Sequence, residues 1–218
     1  MIYEYPEQSA PLRQGDIFLG LPRIDISLEK VLLAETYGER IAKWAELAGQ
    51  NRPVNIIVPV RPVAAIVATQ DCDTVHSRDI TLCEIREFRD VEGKSKDTAA
   101  PKKWKNIITQ QARINQKWFY LPPDERVGFR DKMAVDFLVT LRVPRADLES
   151  LRSLRTGRLN LIADEHFRER IAEFFRRYPY DEWYPLNKEE LEAYLAEYPD
   201  AKAFPWQSIA SGPEKAPR

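Results

Sequence analysis

Cysteine is scarce in this chain, with Cys72 and Cys83 the two thiols in 218 residues. So few, at no secreted spacing, exclude a disulfide framework and make a reducing cytoplasm with both thiols free the expectation. An excess of charge of either sign is also lacking, because 33 Lys and Arg nearly cancel 34 Asp and Glu. Any nucleic-acid partner must then be held by a local patch rather than by a global field. No apolar run approaches the ~18 residues of a membrane span. The opening Met-Ile-Tyr-Glu-Tyr-Pro has neither a basic nor an apolar leader region, so no membrane partner is expected. Paired metal-ligand signatures such as Cys-x-x-Cys are missing too. Asp71, Cys72, Asp73, His76 and Cys83 mix hard and soft donors that select no metal. No metal and no cofactor is therefore expected, with a weakly held divalent ion on Asp71 and Asp73 the only alternative.

What is present is enough for a folded body, since 44% of residues are hydrophobic and 11% aromatic. The central signal is Arg61 to Asp73, in which Pro62 to Ala68 runs without a charge before breaking into Gln70-Asp71-Cys72-Asp73. Such a run predicts a strand buried on both faces that ends in a polar turn. Ahead of it, Gln14 to Leu19 reads as a turn and short strand ended by Gly20 and Pro22. Ile24, Ile26 and Leu28 alternate like a strand, whereas Ile41, Trp44, Ala45 and Ala48 are spaced for a helix stopped by Gly49. Asn55 to Val60 reads as a strand.

Beyond the turn, Ile80 to Phe88 predicts the next strand, with Ile80 and Leu82 on one face and Cys83 and Ile85 on the other. Trp118 to Leu121 is another. Met133 to Val143 puts Val135, Phe137, Val139, Leu141 and Val143 on one face. Leu148, Leu151 and Leu154 suggest a short helix stopped near Gly157, and Leu159 to Ile162 a short strand. Asp164 is the expected N-cap of a helix over 164–178 that buries Phe167, Ile171, Phe174 and Phe175. A tail over 181–218, rich in Trp, Tyr and Pro, carries a short helix with Asn187 and Glu190 as a capping pair.

The order of these signals resembles the MazF/PemK toxins, small endoribonucleases with an SH3-like barrel. Gly15-Asp16-Ile17-Phe18 is similar to their opening strand, and Arg61-Pro62-Val63 to their Arg-Pro-Val strand. The strand, short helix, strand and helix from Met133 to Arg177 are similar to their closing order. The match covers Gly15 to Gly20, Arg61 to Ile85 and Met133 to Arg177, and requires insertions near 24–55 and 88–120. A Gln-Gly-Asp-Ile-Phe opening paired with a Gln-Asp-Cys-Asp turn also resembles a group of bacterial proteins of undefined activity. The resemblance implies an α+β fold built on a small SH3-like β-barrel over 1–180, with C-terminal helices. It also implies that Arg61 matches the catalytic arginine, although Arg52-Pro53-Val54 offers a second register. The catalytic threonine of those toxins falls by spacing on Glu84, with Cys83 beside it and Thr81 a few residues early. That departure puts cleavage in question.

Several candidate sites follow. Arg61 can stabilise phosphate charge, because guanidinium matches phosphate oxygens bidentately, with Asp73 or Glu84 as base. Its alternative is a strand-end arginine in an ordinary surface pair. Cys72 is a candidate nucleophile with His76 four residues on, but Asp71 and Asp73 would oppose its thiolate if they pointed at it. The alternative there is a buried strand-end thiol, with Asp71 or Asp73 capping the turn through its own backbone. Lys94, Lys96, Lys102, Lys103 and Lys105 face one opposing Asp97, about +4 locally. Lys102, Lys103 and Lys105 around Trp104 could hold phosphates while the indole stacks on a base, or form a solvated hairpin. The leading expectation is an RNA-binding protein, with endoribonuclease activity as one form of it. The rivals are a non-catalytic interaction module with a protein partner or antitoxin in a toxin-antitoxin or phage-defence operon, and a Cys72-dependent enzyme. The aromatic tail could cover such a partner or a homodimer mate.

Overall fold

A computed structural model describes residues 2–50, 52–92, 117–175, 188–197 and 199. The chain divides into two compact units, residues 1–174 and 175–218. In chain order the elements begin with β1 (Tyr3–Glu4), β2 (Asp16–Ile24), β3 (Val31–Glu35), β4 (Gly38–Ala42), α1 (Trp44–Ala48), β5 (Ile56–Ile57) and β6 (Val60–Val67). They continue with α2 (Asp71–His76), β7 (Asp79–Glu87), α3 (Phe88–Glu92), β8 (Trp118–Leu121) and β9 (Met133–Pro144). The last are α4 (Arg145–Ser150), β10 (Arg155–Leu159), α5 (Leu161–Phe175) and α6 (Lys188–Glu197). The fold is mixed α+β, dominated by a seven-stranded sheet ordered β1-β10-β2-β6-β7-β9-β8 and a smaller sheet β4-β3-β5. Every pairing in both sheets is antiparallel. Among the described residues no helix is long and apolar enough to cross a membrane.

β6 lies in the middle of the large sheet, and its unbroken apolar run has the expected cause: both faces are covered. Ile66 packs into one cluster, while Val63, Ala65 and Val67 pack into the other. The first cluster draws on all seven strands, from Tyr3 in β1 to Leu121 in β8, and α5 covers it with Ala163 and Phe167. The Tyr3 hydroxyl donates to the carbonyl of Pro122, just past β8, at 2.8 Å. The two outer strands therefore approach through side chains, and among the described residues no backbone ladder joins them.

Several boundaries differ from the sequence expectation, each for a local reason. β2 does not stop at Gly20 but passes through it and Pro22, because Gly20 at φ +80° takes up a register shift between Phe18 and Leu21. Ile26 and Leu28 alternate but are exposed and lie outside any strand. The helix near Trp44 forms and meets Gly49 at its C-cap, although Ile41 belongs to β4. Asn55 to Val60 is two strands, β5 and the start of β6.

β9 does not keep one face. Val135 and Phe137 join the first cluster, but Leu141 and Val143 join the second. The ladder explains this, since Cys83 pairs with Thr140 while its neighbour Glu84 pairs with Asp136, so residues 137–139 bulge out and reverse the alternation. Gly157 stops no helix; it lies inside β10, where an added Cβ would come within 3.0 Å of Val127 Cγ2. Leu161 and Ile162 start α5 rather than ending a strand. Asn160, not Asp164, caps that helix, its Oδ1 accepting the Ala163 N–H at 2.9 Å. Phe167 is fully buried and Ile171 and Phe174 pack on the core, but Phe175 is exposed. α6 covers Leu191, Tyr194 and Leu195 as the spacing predicts, while Asn187, Trp183, Tyr184 and Trp206 lie outside the described residues.

Candidate functional site

The candidate residues collect toward the two ends of β6. Arg61 stands near its start and the Asp71-Cys72-Asp73 group follows its end. The strand between Arg61 and Val67 spans roughly 20 Å at its ordinary rise, so these groups do not share one site.

At the Arg61 end, Arg23 of β2 is the ladder partner of Arg61, which puts both guanidiniums on one face. Like charges so placed need counter-charge, and two carboxylates supply it from opposite sides. From the protein side comes Glu84, whose side chain is 3% exposed and whose ladder partner is the small Ala65. Its Oε2 accepts from Arg23 Nη1, and its Oε1 accepts from Arg61 Nη2 at 3.1 Å. From the solvent side comes Asp25, just beyond β2. Its Oδ1 accepts from Arg23 Nε at 2.8 Å and its Oδ2 from Arg61 Nε at 3.2 Å. The hydrogen bond from Arg61, and then that from Arg23, hold the Asp25 carboxyl below its usual range. The Arg61 side chain is 49% exposed, and among the described residues its Nη1 has no partner. Arg86 and the buried Asp136 form a further pair at 3.4 Å, and Asp136 is the ladder partner of Glu84.

This arrangement suits anion binding better than proton transfer. Both Glu84 oxygens are engaged by guanidiniums in a buried position, leaving no open approach for a substrate hydroxyl. Two guanidiniums held on a fixed carboxylate are ordered donors for an incoming oxyanion.

At the other end, the Gln-Gly-Asp and Gln-Asp-Cys-Asp stretches interlock. Gln70 to Asp73 is not a plain turn but the entry to α2. Asp71 does not cap its own turn: its Oδ1 accepts the Gln14 N–H at 2.8 Å and its Oδ2 accepts from Arg13 Nη2 at 2.8 Å. The Gln14 side chain donates to the Ala68 carbonyl at 2.7 Å and accepts from Arg168 Nε at 3.0 Å. Arg168 also reaches Asp164 Oδ2 at 2.5 Å and Asp71 Oδ2 at 3.4 Å. Burial works against ionised Asp71, but the bonds from Arg13 and Gln14 outweigh it and its pKa falls. Burial raises that of Asp164, and neighbouring Asp71 adds to the rise against Arg168. Asp164 Oδ1 is buried, has no hydrogen-bond partner among the described residues, and lies 3.0 Å from where a Gly15 Cβ would stand.

Cys72 and Asp73 are exposed on this helix, with Cys72 Sγ 4.0 Å from Gln70 Oε1. No hydrogen bond joins Cys72 to the exposed His76 among the described residues, so the geometry assembles no thiol-imidazole pair. Cys83 is buried, and desolvation pushes its thiol up to about 12. No three His, Cys, Asp or Glu come together as a metal site among the described residues. Arg52 lies ahead of β5, bonded to Gln50 Oε1 at 3.0 Å, and helps line a cavity of about 200 Å³ beside the small sheet. His166 is exposed on α5. Lys102, Lys103, Trp104 and Lys105 lie outside the described residues.

Sequence reasoning missed Arg23, Asp25 and the partners of Asp71. One signal was available: Glu84 interrupts an otherwise apolar stretch, and a buried carboxylate demands a cation. The alternation of Arg23 and Asp25, two residues apart, was another. Comparison with protein-family models, with curated proteins and with solved structures gives no match for this chain.

Proposed function

We propose that the protein binds RNA, holding a backbone phosphate on the Arg23 and Arg61 pair. On this reading it is a MazF/PemK-like SH3-like barrel that keeps the binding arginine and has lost the cleaving threonine. The observation that carries it is the half-exposed Arg61 guanidinium, anchored on buried Glu84 with Nη1 unpartnered among the described residues. The core cluster that draws on all seven strands, and the Tyr3 bond to Pro122, support the barrel form. The engaged oxygens of Glu84 favour binding over cleavage.

Salt-dependent retention of a long mixed RNA tests this. Arg61→Ala should weaken binding on the order of tenfold and lower the salt slope by about one. Equal retention by the variant overturns the reading, and Arg61-dependent cutting would restore a nuclease.

A second reading, an interaction module with a protein partner, draws on an apolar row across the small sheet. Ile41, Leu32 and Ile57 are ladder partners, and Ile41 and Ile57 are 68% and 42% exposed. Co-purification with the products of neighbouring genes, lost on Ile41→Asp, would favour it over RNA.

A further inference from the structure

We propose that Asp25 is a built-in occupant of the phosphate position, so that a phosphodiester binds only by displacing it. The inference rests on the RNA-binding reading and adds the means by which the same site is held back.

The geometry points to substitution rather than simple crowding. The Asp25 carboxylate offers two oxygens from one centre, one to each arginine, on the solvent side of the pair. A phosphodiester also offers two oxygens from one centre, and guanidinium donors do not distinguish the two anions by charge or planarity of approach. Glu84 approaches the same arginines from the buried side and is 3% exposed, so it stays when the outer anion leaves. Asp25 is free to leave, because its side chain is 51% exposed and it lies outside any strand. Arg23 and Arg61 are fixed in the ladder between β2 and β6 and remain behind.

Charge counting agrees. At rest two guanidiniums face two carboxylates, and the site is neutral. With Asp25 swung out one positive charge is uncompensated, which matches the single charge of a backbone phosphodiester. The pairing of Asp25 with both arginines therefore lowers apparent affinity in proportion to the time it occupies them. RNA binding is then set by a competition inside the protein.

The experiment uses the full chain and compares wild type with Asp25→Asn, Asp25→Ala, Arg61→Ala and Asp25→Ala/Arg61→Ala, with Glu39→Gln as a remote charge control. Binding of a single-stranded RNA oligonucleotide is read at fixed salt, and melting with and without inorganic phosphate is read in parallel. Both Asp25 variants should bind RNA about tenfold tighter than wild type. The gain should vanish in the double variant, and phosphate should raise the melting temperature of Asp25→Ala more than that of wild type. Unchanged or weaker RNA binding by the Asp25 variants, with Arg61→Ala still weak, overturns the inference and leaves the RNA reading standing. An equal gain in Glu39→Gln overturns it as well. RNA binding indifferent to Arg61, with phosphate still stabilising Asp25→Ala selectively, keeps the displaced anion and removes RNA as its source.

Discussion

Arg158 Nε donates to Asp16 Oδ1 at 2.6 Å where Asp16 has no solvent exposure at all. The two are also ladder partners between β10 and β2, so the sheet itself sets the ion pair. Arg155 reaches the same carboxylate at 3.1 Å, and the two arginines also donate to the carbonyls of Glu7, Ala10 and Pro11. One buried carboxylate thus orients two arginines that pin the arm ahead of β2.

Asp16→Asn should destabilise the protein by about 3–5 kcal/mol, because it leaves two buried guanidiniums without their counter-charge. Urea unfolding measures the loss, and limited proteolysis should show new cutting within residues 7–13. An unchanged midpoint would mean the arginines find water instead.

Gly15→Ala meets two obstacles. Gly15 has φ +80°, and its added Cβ would stand 3.0 Å from Asp164 Oδ1 and 3.2 Å from Leu159 Cβ. The backbone term alone is about 1–2 kcal/mol. In Asp164→Ala the carboxyl obstacle is gone, so the double variant should lose less than the sum of the singles. Strict additivity in thermal melting would place the whole cost in the backbone.

Asp71 and Asp164 should pull stability in opposite directions as pH changes. The pKa of Asp71 is lowered in the folded state, so its contribution is present above the ordinary carboxylate value of about 3.9 and is lost on acidification. That of Asp164 is raised, so its contribution is present below that value and is lost as pH rises through the raised pKa. Unfolding followed from about pH 3 to 7 should show Asp71→Asn falling furthest below wild type at the neutral end. Asp164→Asn should improve relative to wild type toward that same end. Parallel curves for the two variants would contradict both assignments.

The thiols should count separately. Native protein should react with one equivalent of a thiol reagent, at exposed Cys72, and a second should appear only on unfolding, from buried Cys83. Cys72→Ser should abolish the first and leave the second. Two rapid equivalents in the native state would require β7 to open.

Local signals were legible where local causes operate. The run from Pro62 to Ala68 announced β6 because a strand covered on both faces has no reason to alternate. Met133 to Val143 announced a strand, but its change of face arises from the slip opposite Cys83 and Glu84, which only the pairing with β7 creates. Arg61 and Glu84 were each visible and do meet. Their setting with Arg23 and Asp25 was not, because the register that puts Arg23 opposite Arg61 depends on the shift around Gly20. The contact of Asp71 with Gln14 likewise crosses 57 positions of chain and leaves no spacing to read.

The register of β1 has a bearing on synthesis. Tyr3 and Glu4 find their backbone partners in Leu159 and Arg158, which also lie beside β2. A ribosome delivers β2, β6 and β7 long before β10, so the emerging chain carries an unpaired strand edge along β2 until Leu159 leaves the exit tunnel. Such an edge is the kind that recruits foreign strands. The growing polypeptide thus waits on its own late segment to cover that edge.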